Sequence, residues 1–490
     1  MKKFFLSLIG AIIVGAGVFF GGQYITKTGV FRIPGVVYYD ESLTEEEIAR
    51  IEEVFTDEID LDKDVYISGR YEFSLPELEA GEFLSAVFVP VTDFYSTETN
   101  LNVETAEEFF DQDFQNENKF SILNVMNLDF KVKLLKLNDK YFLDELKQGG
   151  IYRILSFKSE KYEDEISPLA VKIFGDKVMF SEDEILTFAQ TGVTALSRGM
   201  NAKLRAVGGD ATYFSEKIAD FLSGFDLTHT SNESSFTDFA SDRNICSDKR
   251  FINTLLDIGV DVIELTGNHN QDCGDTAALE TLDVYDANGL KTVGGGRTAT
   301  EAAKPLLIDE KGSGITMLAY NLSTGGATYD NTPGANQYYE ENAVSEIAAA
   351  KERGDFVIVD IQYYECNAYA STYEDATCDY PQNTPGNEIG FFRHLIDLGA
   401  DVVVGTSAHQ TQTFELYGEG VIYYGLGNLF FDQVWWPGTT RSLVLGHYFH
   451  NGKLLQTKLT PTVYDANMQV QVMDSETAKW FIGRLVEAKP

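Results

Sequence analysis

Asp261-Val262-Ile263-Glu264-Leu265-Thr266-Gly267-Asn268-His269-Asn270-Gln271-Asp272-Cys273-Gly274 is the stretch on which the fold turns. Its first five residues read as a short buried strand, and a glycine, an amide, an imidazole and a carboxylate follow at once. The same order recurs downstream. Phe356-Val357-Ile358-Val359 leads into Ile361-Gln362-Tyr363-Tyr364-Glu365-Cys366, and Asp401-Val402-Val403-Val404 into Gly405-Thr406-Ser407-Ala408-His409-Gln410-Thr411-Gln412. Val421-Ile422-Tyr423-Tyr424 leads into Gly425-Leu426-Gly427-Asn428-Leu429-Phe430-Phe431-Asp432-Gln433. Apolar runs alternating with helical segments predict buried sheets covered by helices. In such folds ligands are held by loops at the carboxyl ends of strands, so the polar residues after each run are the candidates.

Working back, Ser181 to Ala202 reads as a helical connector, and the first strand is expected at Ala206-Val207, before Gly208-Gly209-Asp210. Asp210 then stands at a strand end, where a carboxylate suits a metal. Its alternative reading is an N-cap for a helix beginning near Tyr213. The expected domains are 1–27 (membrane anchor), 28–190 (a smaller α/β domain), 191–450 (the main α/β domain) and 451–490 (a closing strand and helix).

In the N-terminal part, Asp40 to Asp64 reads as a helix whose early Glu45, Glu46 and Glu47 suit the positive end of the helix dipole. Phe83 to Thr92 reads as a strand and Asn102 to Phe110 as a short capped helix. This order resembles a lobe of a periplasmic solute-binding protein; a plain spacer domain is the alternative.

The chain has 490 residues, 44% hydrophobic, enough for more than one core. With 38 Lys and Arg against 76 Asp and Glu, the net charge is -38, which argues against nucleic-acid binding. An anionic polymer would need a local cation at its cleft, because distant charge is screened beyond about 8 Å. Phe4 to Gly22 is one apolar run long enough to cross a bilayer, preceded by Lys2 and Lys3. The positive-inside rule places everything after Lys27 outside the cytoplasm, on an uncleaved anchor in the cell membrane; a cleaved signal peptide is the alternative. An exported compartment permits disulfides. Of Cys246, Cys273, Cys366 and Cys378, the close pair Cys366 and Cys378 is the expected clip, with Cys246 and Cys273 free.

Two-metal hydrolases use mixed oxygen and nitrogen donors, which Asn268 and His269 supply. With only six histidines in the chain, one directly after a strand carries weight. His229 lies beside Ser231 and Glu233 and is a candidate for the cleft, whereas His394, His447 and His450 read as structural. Trp435, Trp436 and Pro437 read either as an aromatic rim for a polymer or as core.

Taken in order, Gly209-Asp210, a segment ending in Glu233, Asn268-His269 with Asp272 and Gly274, Gly399 to Gly405 with His409 and Gln410, and Gly425 to Asp432 resemble the CapA family of poly-γ-glutamate capsule synthesis proteins over roughly residues 200 to 435. Gly294-Gly295-Gly296 and Glu301-Ala302 fit as well. The resemblance implies a calcineurin-like, metallophosphoesterase-type four-layer α/β/β/α sandwich, with Asp210, Glu233, Asn268, His269 and His409 lining a metal or substrate cleft. On that reading Asp210, Asn268 and His409 hold one divalent ion (Mn, Mg or Zn), and Glu233, His269 and Glu365 serve as acid or base. His229, Asn232, Asp272, Gln362, Gln412 and Asn428 would contact substrate. The family's H-W-G-x-E is replaced around Ile361-Gln362-Tyr363-Tyr364-Glu365-Cys366, and its G-x-H-x-H has Ser407 at the first histidine. Two imidazoles are missing, which leaves both a one-metal and a metal-free site open.

The resemblance implies a cell-surface protein in capsule or exopolymer synthesis, export or retention, partnered by poly-γ-glutamate or a glycan. Three mechanisms are in play: a metal-dependent hydrolase or transferase, a non-catalytic polymer-binding module, and a solute-binding receptor.

Overall fold

A computed structural model describes residues 2–3, 37–58, 65–158, 179–323, 325–328, 331–363, 388–435 and 437–490. The apolar run Phe4–Gly22, Glu365, Cys366, Cys378 and Trp436 lie outside these residues. Among the described residues no helix is long and apolar enough to cross a membrane. The chain divides into two compact units, one ending at Glu182 and the other running from Asp183 to Pro490, which also takes in Asp129–Lys131.

In the N-terminal unit the helix Glu45–Glu58 carries Glu45, Glu46 and Glu47 in its first turn. Strand Glu82–Asp93 covers the expected strand, and the short helix Ala106–Phe110 is capped by Thr105, whose side chain accepts from the Glu108 N–H. The central pairings, Val65–Glu72 with Ile151–Lys158 and Ile151–Lys158 with Glu82–Asp93, are antiparallel. A solute-binding lobe built from strand, loop and helix repeats would make them parallel. Arg153 is buried here and donates to Glu47 Oε1 and Oε2 at 2.8 and 2.7 Å.

The second unit contains β1 (Ile185–Thr194), α1 (Gly199–Ala206), β2 (Leu227–Asn232), α2 (Ile252–Asp257), β3 (Val262–Glu264), α3 (Asp275–Ala287), β4 (Lys291–Val293), β5 (Leu306–Glu310) and β6 (Ser313–Asn321). It continues with α4 (Glu340–Arg353), β7 (Phe356–Gln362), α5 (Glu388–Asp397), β8 (Val402–Gly405), β9 (Phe414–Tyr417), β10 (Gly420–Tyr423), β11 (Asn428–Phe430), β12 (Arg441–His450), β13 (Lys453–Tyr464), β14 (Val470–Val472) and α6 (Ser475–Glu487). One sheet has the order β4-β3-β2-β1-β12-β13-β14, with β11 also paired to β1. The other runs β5-β6-β7-β8-β10-β9. Strands β1 to β4 are mutually parallel, as are β6, β7, β8 and β10. Their carboxyl ends therefore share a direction within each sheet.

Side-chain alternation along these strands builds four layers. On one face of the first sheet, Ala189, Ile263 and Val444 pack with Leu204 of α1, Leu255 of α2 and Tyr285 of α3. On one face of the second, Val357, Val359, Val403 and Ile422 pack with Ile347 of α4 and Leu395 of α5. The remaining faces meet each other. Gln190 of β1 donates to Asp360 of β7 at 2.6 Å, and the rings of Phe356 and Phe449 stand 5.0 Å apart. The order is helices, sheet, sheet, helices.

The expected connector over Ser181 to Ala202 is corrected by this arrangement. Ile185–Thr194 is a central strand with nine of its ten residues buried, and the first helix starts at Gly199, so Ala206-Val207 closes a helix instead of forming a strand. Thr187, Gln190, Thr191 and Thr194 make the segment too polar to read as a buried strand, yet β-branched Ile, Thr and Val suit one. Gly192 shows how tight the packing is. A Cβ there would lie 2.0 Å from the Gly427 carbonyl oxygen, the same oxygen that accepts from the Val193 N–H at 2.9 Å. Gly405 is equally confined, 2.0 Å from the Tyr424 oxygen.

A Gly192→Ala substitution should therefore destabilise the second unit by about 3 kcal/mol through backbone displacement, read as a lower urea midpoint with an unchanged slope. A midpoint equal to that of the parent protein would refute the close approach.

Candidate functional site

The carboxyl ends of β2, β3, β7 and β8 bring their following residues to one mouth. Glu233 ends β2 with no exposed surface; its N–H donates to the Thr194 carbonyl at 2.9 Å. Its side chain rests on Gly267, where a Cβ would come within 2.7 to 3.0 Å of it. Glycine at 267 is required by that contact. Asn268, one residue on, accepts through Oδ1 from Gln362 Nε2 at 3.1 Å. That bond joins the strand ends of the two sheets.

His269 and Asp272 form a second feature of the mouth, with Nδ1 2.8 Å from Oδ2. The imidazole is 22% exposed and the carboxylate 40%, so the pair faces solvent. The adjacent Cys273 is disulfide-bonded to Cys246, with Cα atoms 6.0 Å apart. This corrects the expectation that Cys246 and Cys273 are free. Sequence proximity favoured Cys366 with Cys378, but a bridge needs spatial proximity, and the fold brings the loop after β2 beside the loop after β3.

His409 follows β8, buried, with Nδ1 2.9 Å from Asn428 Oδ1 and its ring 5.2 Å from that of Phe431. Asn428 also donates to Gln433 Oε1 and to the Thr439 carbonyl. Gln412 is buried, with its amide beside the Tyr424 carbonyl and Glu388.

Other expected residues stand elsewhere. Asp210 follows helix α1, is exposed, and accepts through Oδ1 from the N–H and hydroxyl of Thr212 at 3.1 and 2.8 Å. It closes the short turn that precedes Thr212–Phe214, whose N-cap is Ala211, and stands after a helix, not at a strand end. Because a strand's side chains alternate, His229 and Ser231 point between the sheets, while Asn232 turns the other way and bonds the Ser234 carbonyl at 2.9 Å. His229 has no exposed surface and lies beneath the mouth. His394 sits on α5, with Nε2 2.7 Å from Glu340, and His447 and His450 lie on β12. Trp435 is 58% exposed and is not part of the core.

Residues not anticipated from sequence include Arg198 and Asp432, whose Nε–Oδ1 distance is 3.0 Å, with the guanidinium 4.6 Å over the Phe431 ring. Gln190, Glu264 and Asp360 were missed too. A carboxylate inside or at the end of an apolar strand run was the available signal for Glu264 and Asp360.

A dinuclear metal centre does not fit this mouth. Asn268 and Gln362 are amides bonded to each other, and position 407 is a serine, so the imidazoles that a second ion would use are missing. Among the described residues no group of three or more His, Cys, Asp or Glu is arranged to hold a metal ion.

The family model described as bacterial capsule synthesis protein PGA_cap matches residues 187–433, just over half of the chain. PGA biosynthesis protein CapA of Bacillus subtilis (strain 168) is 25% identical over 284 residues, 56% of this chain and 71% of that protein. Capsule biosynthesis protein CapA of Bacillus anthracis is 23% identical over 287 residues, 56% of this chain and 67% of that protein. A solved structure, TT1561 of Thermus thermophilus, aligns with a TM-score of 0.30 and 11% identity over 59% of this chain and 99% of that chain.

Burial, and then the charge of nearby His229, press the His447 imidazole down to about 3. A histidine depressed in the fold leaves proton uptake to the unfolded chain, so its stability contribution is complete above the ordinary value of 6.5 and is lost as pH falls toward 3. A His447→Gln variant should lack that component, flattening the acid limb by up to about 1.4 kcal/mol per pH unit. Urea titrations at a series of pH values measure this; parallel curves for the two proteins would contradict it.

Proposed function

Because the chain belongs to the bacterial capsule synthesis protein family PGA_cap, we propose that it serves capsule polymer synthesis at the cell surface, its two-sheet unit handling an amide-linked, anionic polymer of the poly-γ-glutamate type. The observation that carries this reading is the chemistry of the mouth. Where the family resemblance implies imidazoles, this chain has Ser407 and, over residues 361–366, none, while Asn268 and Gln362 set a pair of amides across the strand ends. Amides pair with amides through matched donors and acceptors, which suits a polymer whose backbone repeats an amide bond. They also remain neutral, so an acidic chain meets no fixed carboxylate from them. Arg198 places a cation near the strand ends, held by Asp432.

We read the stacked sheets as the metallophosphoesterase-like sandwich of the resemblance, with its metal chemistry replaced by hydrogen bonding. The apolar run Phe4–Gly22 is the proposed tether that keeps the unit at the membrane surface. A second reading rests on the His269–Asp272 pair: a solvent-facing imidazole with its other nitrogen fixed by a carboxylate has the form of a general acid or base. On that reading the mouth cleaves or transfers polymer instead of only holding it.

Three measurements test these ideas. Full-length protein should bind poly-γ-glutamate oligomers, and Asn268→Ala should weaken binding about tenfold, as expected for roughly 1.4 kcal/mol of hydrogen bonding. His269→Ala should leave polymer length distributions unchanged if the module only binds, and should abolish any shortening if it cleaves. In cells that make such a polymer, deleting the gene should deplete it from the surface. Unaltered surface polymer, or equal affinity of the Asn268→Ala protein, would exclude the proposal.

A further inference from the structure

Beneath the mouth, the interior between the sheets is polar, where a sandwich interior is ordinarily apolar. Gln190 (β1), His229 and Ser231 (β2), Glu264 (β3), Asp360 (β7) and His447 (β12) all have no exposed surface. Several contacts connect them. Gln190 Nε2 donates to Asp360 Oδ1 at 2.6 Å, and His447 has Nε2 3.3 Å from Gln190 Oε1 and Nδ1 2.9 Å from Thr457 Oγ1. His229 Nε2 lies 3.2 Å from Asp360 Oδ2, and Ser231 stands opposite Glu264 in the β2–β3 register. Glu264 Oε1 accepts from the Thr266 N–H.

These bonds leave a remainder. His229 Nδ1, Glu264 Oε2, Gln362 Oε1 and Thr406 Oγ1 are buried and lack a hydrogen bond to protein, and His229 Nε2 and Asp360 Oδ2 face only each other, off hydrogen-bond geometry. Each such group costs about 1 to 3 kcal/mol if left unsatisfied. Four such groups and a poorly aligned pair would consume much of a domain's net stability of about 5 to 15 kcal/mol. Water, which both donates and accepts, is the ligand that removes the cost, and buried waters ordinarily make about three such bonds. The two carboxyls add a second constraint, since two negative charges sharing one dry site oppose each other.

We propose that the space between the sheets is an internal hydrated proton site, in which ordered water bridges His229, Glu264, Asp360 and Thr406 and the Glu264 carboxyl holds one exchangeable proton. The electrostatics agree with the geometry: burial, and then the charge of Asp360, raise Glu264, while Ser231, Thr266 and His229 pull the other way. The groups that face Glu264 are Asp360 from β7, His229 and Ser231 from β2, and Thr266 beyond its own strand; Glu233 lies two residues past Ser231 at the mouth, and His447 is reached through His229. A carboxyl raised in the fold contributes stability that is complete below its unfolded value and is lost as pH rises toward its folded one. Asp360 and Gln362 are two residues apart on β7, so ionisation of Glu264 would press on the strand that carries the bond to Asn268.

Infrared spectroscopy of the full-length protein at about pH 7 should show a carboxylic-acid carbonyl band that shifts in heavy water. The band should vanish in Glu264→Gln and persist in Glu233→Gln. Deuteron relaxation dispersion should detect long-lived internal water, and Glu264→Gln should hold its stability better than the parent as pH rises. If Glu264→Gln does not fold, Asp360→Asn supplies the test: removing the neighbouring charge should move loss of the band to lower pH. Absence of the band at about pH 7, its survival in Glu264→Gln, an unmoved titration in Asp360→Asn, or no internal water signal would overturn the assignment.

Discussion

The bond from Gln190 to Asp360 crosses from one sheet to the other at 2.6 Å, buried from water. A hydrogen bond to a carboxylate is worth more than a neutral one, and removing either partner leaves a buried polar group exposed to nothing. Its location determines much else. It fixes β1 against β7, and two residues beyond Asp360 on the same face stands Gln362, which reaches Asn268 on the first sheet. The mouth therefore inherits its geometry from a contact in the layer below it.

Tight backbone approach supports the same arrangement from the side. Gly192 and Gly405 each lie against a carbonyl oxygen that a methyl group could not clear, and Gly267 makes room for Glu233. Strand β1 closes on the turn before β11, β8 on the residue after β10, and the loop after β3 on Glu233, each through a glycine, while the Cys246–Cys273 bridge fastens the loop bearing His269 and Asp272. Such a frame holds amides and an imidazole in place at strand ends. A set of neutral donors in that setting is suited to recognition, and the partly exposed His269–Asp272 pair is the feature with the form for proton transfer.

Family membership accords with this division of labour without dictating it. The matched segment, residues 187–433, begins within β1 and ends just after β11, so it covers the strands whose ends make the mouth. Strands β12 to β14 and helix α6 fall beyond it, yet β12 contributes His447 to the polar interior and pairs along β1. The interior cluster thus draws on residues both inside and outside the matched segment.

The alternation of buried strands and helices from Asp261 onward was readable from the chain alone, because Phe356–Val359 and Asp401–Val404 are apolar runs whose length and punctuation suit only buried strands. The polar residues after them were legible for the same reason: Asn268, Gln362 and His409 stand directly past a run. Ile185–Thr194 was not legible, since Gln190 and its threonines become acceptable in a core only when another sheet supplies Asp360 and the ring of polar neighbours. That single misreading carried Asp210 to a strand end, whereas the folded chain gives it to an exposed turn. Partners distant in sequence, Cys246 with Cys273 and Glu264 with Asp360, were settled by folding, because chain separation says nothing about which strand ends will meet.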